Sequence, residues 1–240
     1  MRVIGLSGSG LLARKEKTFP HPPCSRYCSP MLKPASSGQY PVPSTQYPMH
    51  RIYLTFDDGP DPTFTPRVLD VLGEAGMRAT FFTIGQQARR FPELVRRVAS
   101  EGHEVGNHSF SHKHPWFVSE RTARAEVREC SDVLSAVLGT RPRFFRPPHG
   151  RMRACMTDEA TRLGARTMLW DLSAIDWGPF GRADRIEKRL ARIQPNDIVL
   201  MHDGKNEHNK PDELLRVLPQ VLKQLRERGL FSDVLVADVV

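Results

Sequence analysis

From Met49 onward, short apolar runs alternate with amphipathic stretches, and this alternation restricts the fold more than any other feature of the 240-residue chain. Runs that read as strands lie at 52–56, 79–84, 103–106, 143–146, 165–171, 197–202 and 231–236. The stretches between them carry helical spacing. Leu94, Val95, Val98 and Ala99 make one apolar face, and Leu214, Leu218, Val221, Leu222 and Leu225 make another, at i, i+4, i+7, i+8 and i+11. Gly229 follows the second face as a predicted C-cap. Seven strands alternating with helices predict an α/β fold with a mostly parallel sheet, closed into a small barrel or left open and doubly wound. In both cases the carboxyl ends of the strands gather their loops on one rim.

Residues 1–48 read differently. They hold eight of the twenty prolines, seven serines and four glycines, with no hydrophobic periodicity. This predicts a disordered tail at 1–48 ahead of a single domain at 49–240. Arg2 precedes only a broken apolar patch, Val3-Ile4-Gly5-Leu6, short of the apolar core of roughly 7–15 residues that a secretion signal uses. A cytoplasmic protein is therefore expected, with the cell envelope or secretion as the alternative and Met49 as a second possible start. No run approaches the roughly 18 apolar residues of a membrane span. The net charge of +8 is misleading, because the tail alone carries +5. The remaining arginines are scattered, which argues against a nucleic-acid partner; a monomer is expected. Of four cysteines, Cys24 and Cys28 lack a second pair in zinc-binding register, and Cys130 reads as a small core residue.

Several strand-like runs end in groups able to do chemistry. Asp57 and Asp58 follow the first, His108 and His112 the third, Arg146 and His149 the fourth, Asp171 and Asp176 the fifth, and His202 and Asp203 the sixth. On a parallel sheet these five sites meet on one rim. A turn before Gly59-Pro60 would account for Asp57-Asp58 taken alone. Two adjacent carboxylates repel each other unless something positive lies between them. His108 and His112 are four apart, so one helical turn would aim both at a shared metal, and a nearby carboxylate completes a His₂-carboxylate set with open positions for water. One Asp then holds a divalent cation while its neighbour stays free for proton transfer.

Five motifs occur in order: TFDDGP (55–60), GNHSFSH (106–112), RPPHG (146–150), DLSAIDW (171–177) and IVLMHDG (198–204). Together they resemble the polysaccharide deacetylase family, the NodB-homology group or carbohydrate esterase family 4, over about residues 50–238. The resemblance implies a distorted (β/α)₇ barrel that removes N-acetyl groups from N-acetylglucosamine-containing glycans of the chitin or peptidoglycan type. It implies Asp57 as catalytic base and Asp58, His108 and His112 as ligands of a divalent metal ion. Zn²⁺ suits that set, and Co²⁺ or another divalent ion also fits. It further implies Arg146 as the group orienting the base and the backbone N–H of His149 as an oxyanion donor. Asp176 would orient the acid, Trp177 would wall the acetyl pocket, and Leu200 and His202 form a Leu-x-His element with His202 as general acid.

Two positions depart from the family pattern. His149 stands where Tyr is common, and Ser173 stands where the fourth motif usually has its first Asp; both bear on substrate contacts rather than on the chemistry. A lipid-linked sugar or a non-sugar amide is the alternative substrate, and a non-catalytic sugar-binding protein is the alternative class. Of the other aromatic and imidazole groups, Trp116 and Trp170 read as core with stacking on sugar rings as the alternative, His103 as packing or capping near a strand start, His114 as solvated or supporting the ligand pair with a substitute ligand as the alternative, and His208 as an exposed loop residue.

Overall fold

Strand β1 (His50–Asp57) is the axis of the fold. Its sequence HRIYLTFD is buried on both faces from Ile52 on, as a central parallel strand covered on both sides requires. In the computed structural model, which describes residues 50–236, β1 pairs in parallel with β2 (Thr80–Thr83) and with β7 (Ile198–His202). The strands between are β3 (Glu104–Asn107), β4 (Phe144–Phe145), β5 (Arg166–Thr167) and β6 (Leu172–Ser173). The sheet order is β5-β4-β3-β2-β1-β7-β6, and β8 (Leu230–Ser232) pairs with the first residues of β1. Every pairing in the sheet is parallel.

This is a distorted (β/α)₇ barrel, but the strand count needs one correction. The run expected at 165–171 holds only the two-residue β5, beside β4, and a further strand, β6, follows it at 172–173 on the opposite edge, beside β7. Among the described residues β5 and β6 do not pair, so the barrel is open there. The carbonyls of Met168 and Leu169, in the gap, accept hydrogen bonds from the Arg146 guanidinium at 3.3 and 2.8 Å.

The helices are α1 (Thr65–Ala75), α2 (Gly85–Arg90), α3 (Pro92–Ser100), α4 (Glu120–Leu138), α5 (Ala154–Arg162), α6 (Ala183–Leu190) and α7 (Pro211–Glu227). Local chemistry sets their ends. The Ser119 hydroxyl accepts the Thr122 N–H at 3.1 Å to start α4, and Gly139 ends it with a left-handed φ of 76°. All five residues of the α7 stripe are buried, each contributing about 1.5–3 kcal/mol of apolar transfer energy. Gly229 takes a φ of 71° one residue past the α7 cap, as its C-terminal role requires. The α3 face is narrower than its spacing suggests: Val95 and Val98 are buried, Leu94 is half-buried and Ala99 is exposed. Cys130 lies in the core, and the buried His103 accepts the Ala79 N–H at Nδ1, 3.1 Å, so both behave as expected. The tail expected at 1–48, with Cys24 and Cys28, lies outside the described residues. Among the described residues no helix is long and apolar enough to cross a membrane.

Candidate functional site

Parallel register brings the strand ends to one level. Asp57 is the Cα partner of His202 and of Phe82, and Asn107 of Phe145, so the residues just past each strand converge. A cleft of about 270 Å³ opens there, lined by Asp57, Asp58, His108, His112, His149, Trp170, Trp177, Leu200 and His202 among others. A larger hollow of about 410 Å³ between α1 and α7 brings no catalytic groups together; Val71, Ala75, Pro219 and Leu222 line it with a few charged side chains.

Asp58 is buried, at a left-handed φ of 73°. The bend needs room: a Cβ on Gly204 would collide with the Asp58 backbone, and one on Gly59 with the Asp203 carboxylate. Asp58 Oδ2 accepts the side-chain amides of Asn209 and Asn206 at 2.7 and 3.1 Å. Asp58 Oδ1 is buried and has no hydrogen-bond donor. It faces His112 Nε2 at 3.2 Å and His108 Nε2 at 3.4 Å. The three ligand-capable atoms lie within 4.8 Å of one another.

His108 and His112 do not lie on a helix, contrary to the i, i+4 expectation. Ser109 and His112 both take left-handed φ values, 66° and 55°, and the segment loops back so that the two rings meet at 4.9 Å between centroids. Asn107 holds the loop: its side-chain oxygen accepts the Ser109 N–H at 2.8 Å, while its amide donates to Val127 O and Ser131 Oγ on α4. The His108 Nδ1–H donates to the Arg146 carbonyl at 2.8 Å, which leaves Nε2 facing the carboxylates.

The electrostatics fit a cation. Burial opposes ionisation of Asp58, but His108 and His112 hold its carboxyl below the usual carboxylate range. Burial pushes His112 down to about 4, so it is a neutral imidazole at neutral pH, the form that ligates. For His108, burial is outweighed by the Asp57 and Asp58 carboxylates, which raise its pKa. The two acids thus draw positive charge to the place between them. An orphaned, buried, anionic oxygen beside two imidazole nitrogens fits a divalent metal ion.

Beside this cluster, Asp57 pairs with the fully buried Arg146, Nη1 to Oδ1 at 2.8 Å. The same Nη1 donates to Thr55 Oγ1 at 2.7 Å. Asp57 Oδ2 carries no such donor and lies 3.6 Å from His108 Nε2. Across the cleft, the fully buried Asp176 accepts the His202 ring Nδ1–H at 2.9 Å and the His202 backbone N–H at 2.8 Å. Burial alone would lower the His202 pKa, but Asp176 raises it to about 9. Trp177 stands edge-on to His202 at 5.3 Å between ring centroids. Leu200 is buried in the floor. His149 sits at a φ of 57°, and its N–H has no acceptor among the described residues. Eight of the ten expected site residues line one cleft, and the other two, Arg146 and Asp176, are fully buried behind it and bond to Asp57 and His202. Asn206 and Asn209 line it as well and lie outside the motifs. They sit in a polar loop, and only the fold turns them toward Asp58.

Three further expectations meet the structure differently. Trp116 is 61% exposed rather than in the core. Trp170 is half-buried and packs on the Tyr53, Phe82 and Phe144 cluster while lining the cleft. His114 stacks on both Phe117 and His149. His208 is exposed at the cleft mouth, as expected.

A parallel barrel whose carboxyl rim carries an Asp-His-His cation cluster, a buried Asp-Arg pair and a buried Asp-His pair is built as a hydrolase. Comparison with known proteins agrees. The polysaccharide deacetylase family signature matches residues 45–168. A peptidoglycan-N-acetylglucosamine deacetylase of Bacillus cereus is 33% identical, over 74% of this chain and 66% of that protein. A chitooligosaccharide deacetylase of Bradyrhizobium is 36% identical, over 74% of this chain and 85% of that protein. A family 4 carbohydrate esterase of Streptomyces lividans, solved in complex with acetate, superposes with a TM-score of 0.69 at 31% identity, covering 76% of this chain and 91% of that one. The chain belongs to the polysaccharide deacetylase family, carbohydrate esterase family 4.

Proposed function

We propose that this protein hydrolyses the N-acetyl group of N-acetylglucosamine-containing glycans of the chitin or peptidoglycan type, releasing acetate and a free amine. The observation that carries this reading is the buried, donor-less Asp58 Oδ1 facing two imidazoles, flanked by a base pair and an acid pair. Asp58, His108 and His112 would hold the divalent ion. When bound, such an ion acts as a Lewis acid that lowers the pKa of water and polarises the acyl carbonyl.

The chain's own residues do the rest. Asp57 accepts the proton of the attacking water at Oδ2, since Arg146 occupies Oδ1 and fixes the plane of the carboxylate. The His149 N–H donates to the oxygen that becomes negative in the tetrahedral intermediate. His202 then gives a proton to the departing sugar nitrogen. Asp176 holds the ring by Nδ1 and keeps it protonated at neutral pH, so the proton on Nε2 is the one to transfer. Trp177 and Leu200 border the space for the acetyl methyl. Base and acid are separate groups with opposite starting states, one anionic and one cationic, so a turnover begins without prior proton exchange.

The test is acetate release from N-acetylated chitin oligomers by the purified protein, before chelation, after chelation, and after adding back Zn²⁺ or Co²⁺. Release that chelation abolishes and metal restores is the expected result. Release indifferent to chelator would reject the cation assignment, and glycan binding without release would make the chain a sugar-binding protein.

A further inference from the structure

We propose that Trp116 and Phe117 form an outer subsite that holds an extended N-acetylated glycan, so that the protein acts on chains in preference to short oligomers. The proposal rests on the glycan reading above and extends it to substrate length.

Among the described residues, Trp116 and Phe117 are the two most exposed large hydrophobic side chains. They are 61% and 83% exposed and adjacent in sequence. Two large apolar faces side by side in water mark a contact site more often than two scattered ones do. Their backbone is pinned. The Arg153 guanidinium donates to the carbonyls of Pro115 and Val118, on either side of the pair, and His114 Nδ1 accepts the Trp116 N–H at 3.3 Å. A pinned aromatic pair loses little entropy on binding.

The pair is also continuous with the cleft. His112, in the cation cluster, meets the His149 ring at 4.6 Å between centroids. His149 stacks on His114 at 5.2 Å, and His114 stacks on Phe117 at 4.4 Å. This row of rings leads from the reacting centre to open surface, beside which neighbouring sugars of a chain would lie. Sugar rings have apolar C–H faces and polar edges, so they suit aromatic faces bordered by hydrogen-bond donors. Arg151, whose guanidinium lies over one face of the Trp116 ring at 5.8 Å, supplies such donors and leaves the other face for a sugar.

The test compares wild type with the Trp116→Ala/Phe117→Ser variant on N,N′-diacetylchitobiose and on the chitin hexamer, by initial rates and by calorimetric titration. Both side chains are exposed, so the variant should fold with little loss of stability. The expected result is a roughly tenfold loss of kcat/KM for the hexamer, carried by KM, with dimer kinetics unchanged. Equal hexamer values in variant and wild type would overturn the subsite while leaving the deacetylase reading intact. If the wild type releases no acetate but binds the hexamer in a Trp116-dependent way, the subsite stands and the deacetylase reading falls. Absence of hexamer binding by the wild type would overturn the subsite. So would loss of self-association by the variant in sedimentation with hexamer affinity unchanged, which would make the patch a contact for a second copy of the chain.

Discussion

Two clusters of charge face each other across the cleft and balance themselves in opposite ways. On one side, Asp176 and His202 neutralise each other: two hydrogen bonds, one of them also the ion pair, satisfy both oxygens of the Asp176 carboxylate. On the other, Asp57 and Asp58 bring two buried carboxylates to one place, and only Asp57 has a permanent counter-charge, Arg146. Asp58 is left with an oxygen that no protein donor reaches. One side of the cleft is complete as the chain folds; the other keeps an open anionic oxygen that the proposed cation would complete. A buried ion pair is a poor source of stability and a good source of poised chemistry, and the rim keeps two of them.

The comparison can be broken most sharply at the incomplete side. His108→Ala should remove cation binding and turnover together, as read by metal titration and acetate release. Asp57→Asn should separate the two, lowering turnover about 10²–10⁴-fold while the cation still binds; wild-type turnover would refute Asp57 as base. Asn209→Ala removes the closer of the two amides that turn Asp58 Oδ1 toward the imidazoles. Support of this kind typically sets 10–100-fold in metal affinity, so chelator competition should show a loss of about that size with fold and Tm nearly intact.

The self-satisfied side is tested by pH. His202 is raised to about 9, so the acid is fully protonated below its ordinary value of 6.5 and is lost as pH rises through about 9. The basic limb of kcat should therefore fall near pH 9, and Asp176→Asn should move it down toward 6.5. The same sign holds for stability. The Asp176–His202 pair contributes in full below pH 6.5, and its contribution fades as pH rises through about 9. An unmoved limb in the Asp176→Asn variant would show that another group is the acid.

Much of this was legible in the chain. Apolar runs ending in acids and imidazoles marked the strands and their rim, because a parallel strand buried on both faces leaves its mark in every residue. The α7 stripe was legible for the same reason at helical spacing. Other parts were not. The run at 165–171 reads as one strand, yet only 166–167 pairs, as β5; past it the barrel fails to close, the Met168 and Leu169 carbonyls go to Arg146, and β6 starts only at 172. The His108–His112 spacing suggested a helix, but Asn107 and two left-handed residues achieve the same convergence in a loop. Trp116 looked like core, since composition cannot say whether anything lies over an aromatic ring.

The sequence by itself determined the alternating fold, the order of chemical groups along it and the identity of each, because these depend on residue type and spacing. The tertiary structure decided which oxygen of Asp58 is held by amides and which is left bare, where the barrel opens, and which aromatic rings face water. Those are relations between residues as far as 151 positions apart, such as Asp58 and Asn209. A contact at that separation exists only once the sheet has set the register that brings its two ends together.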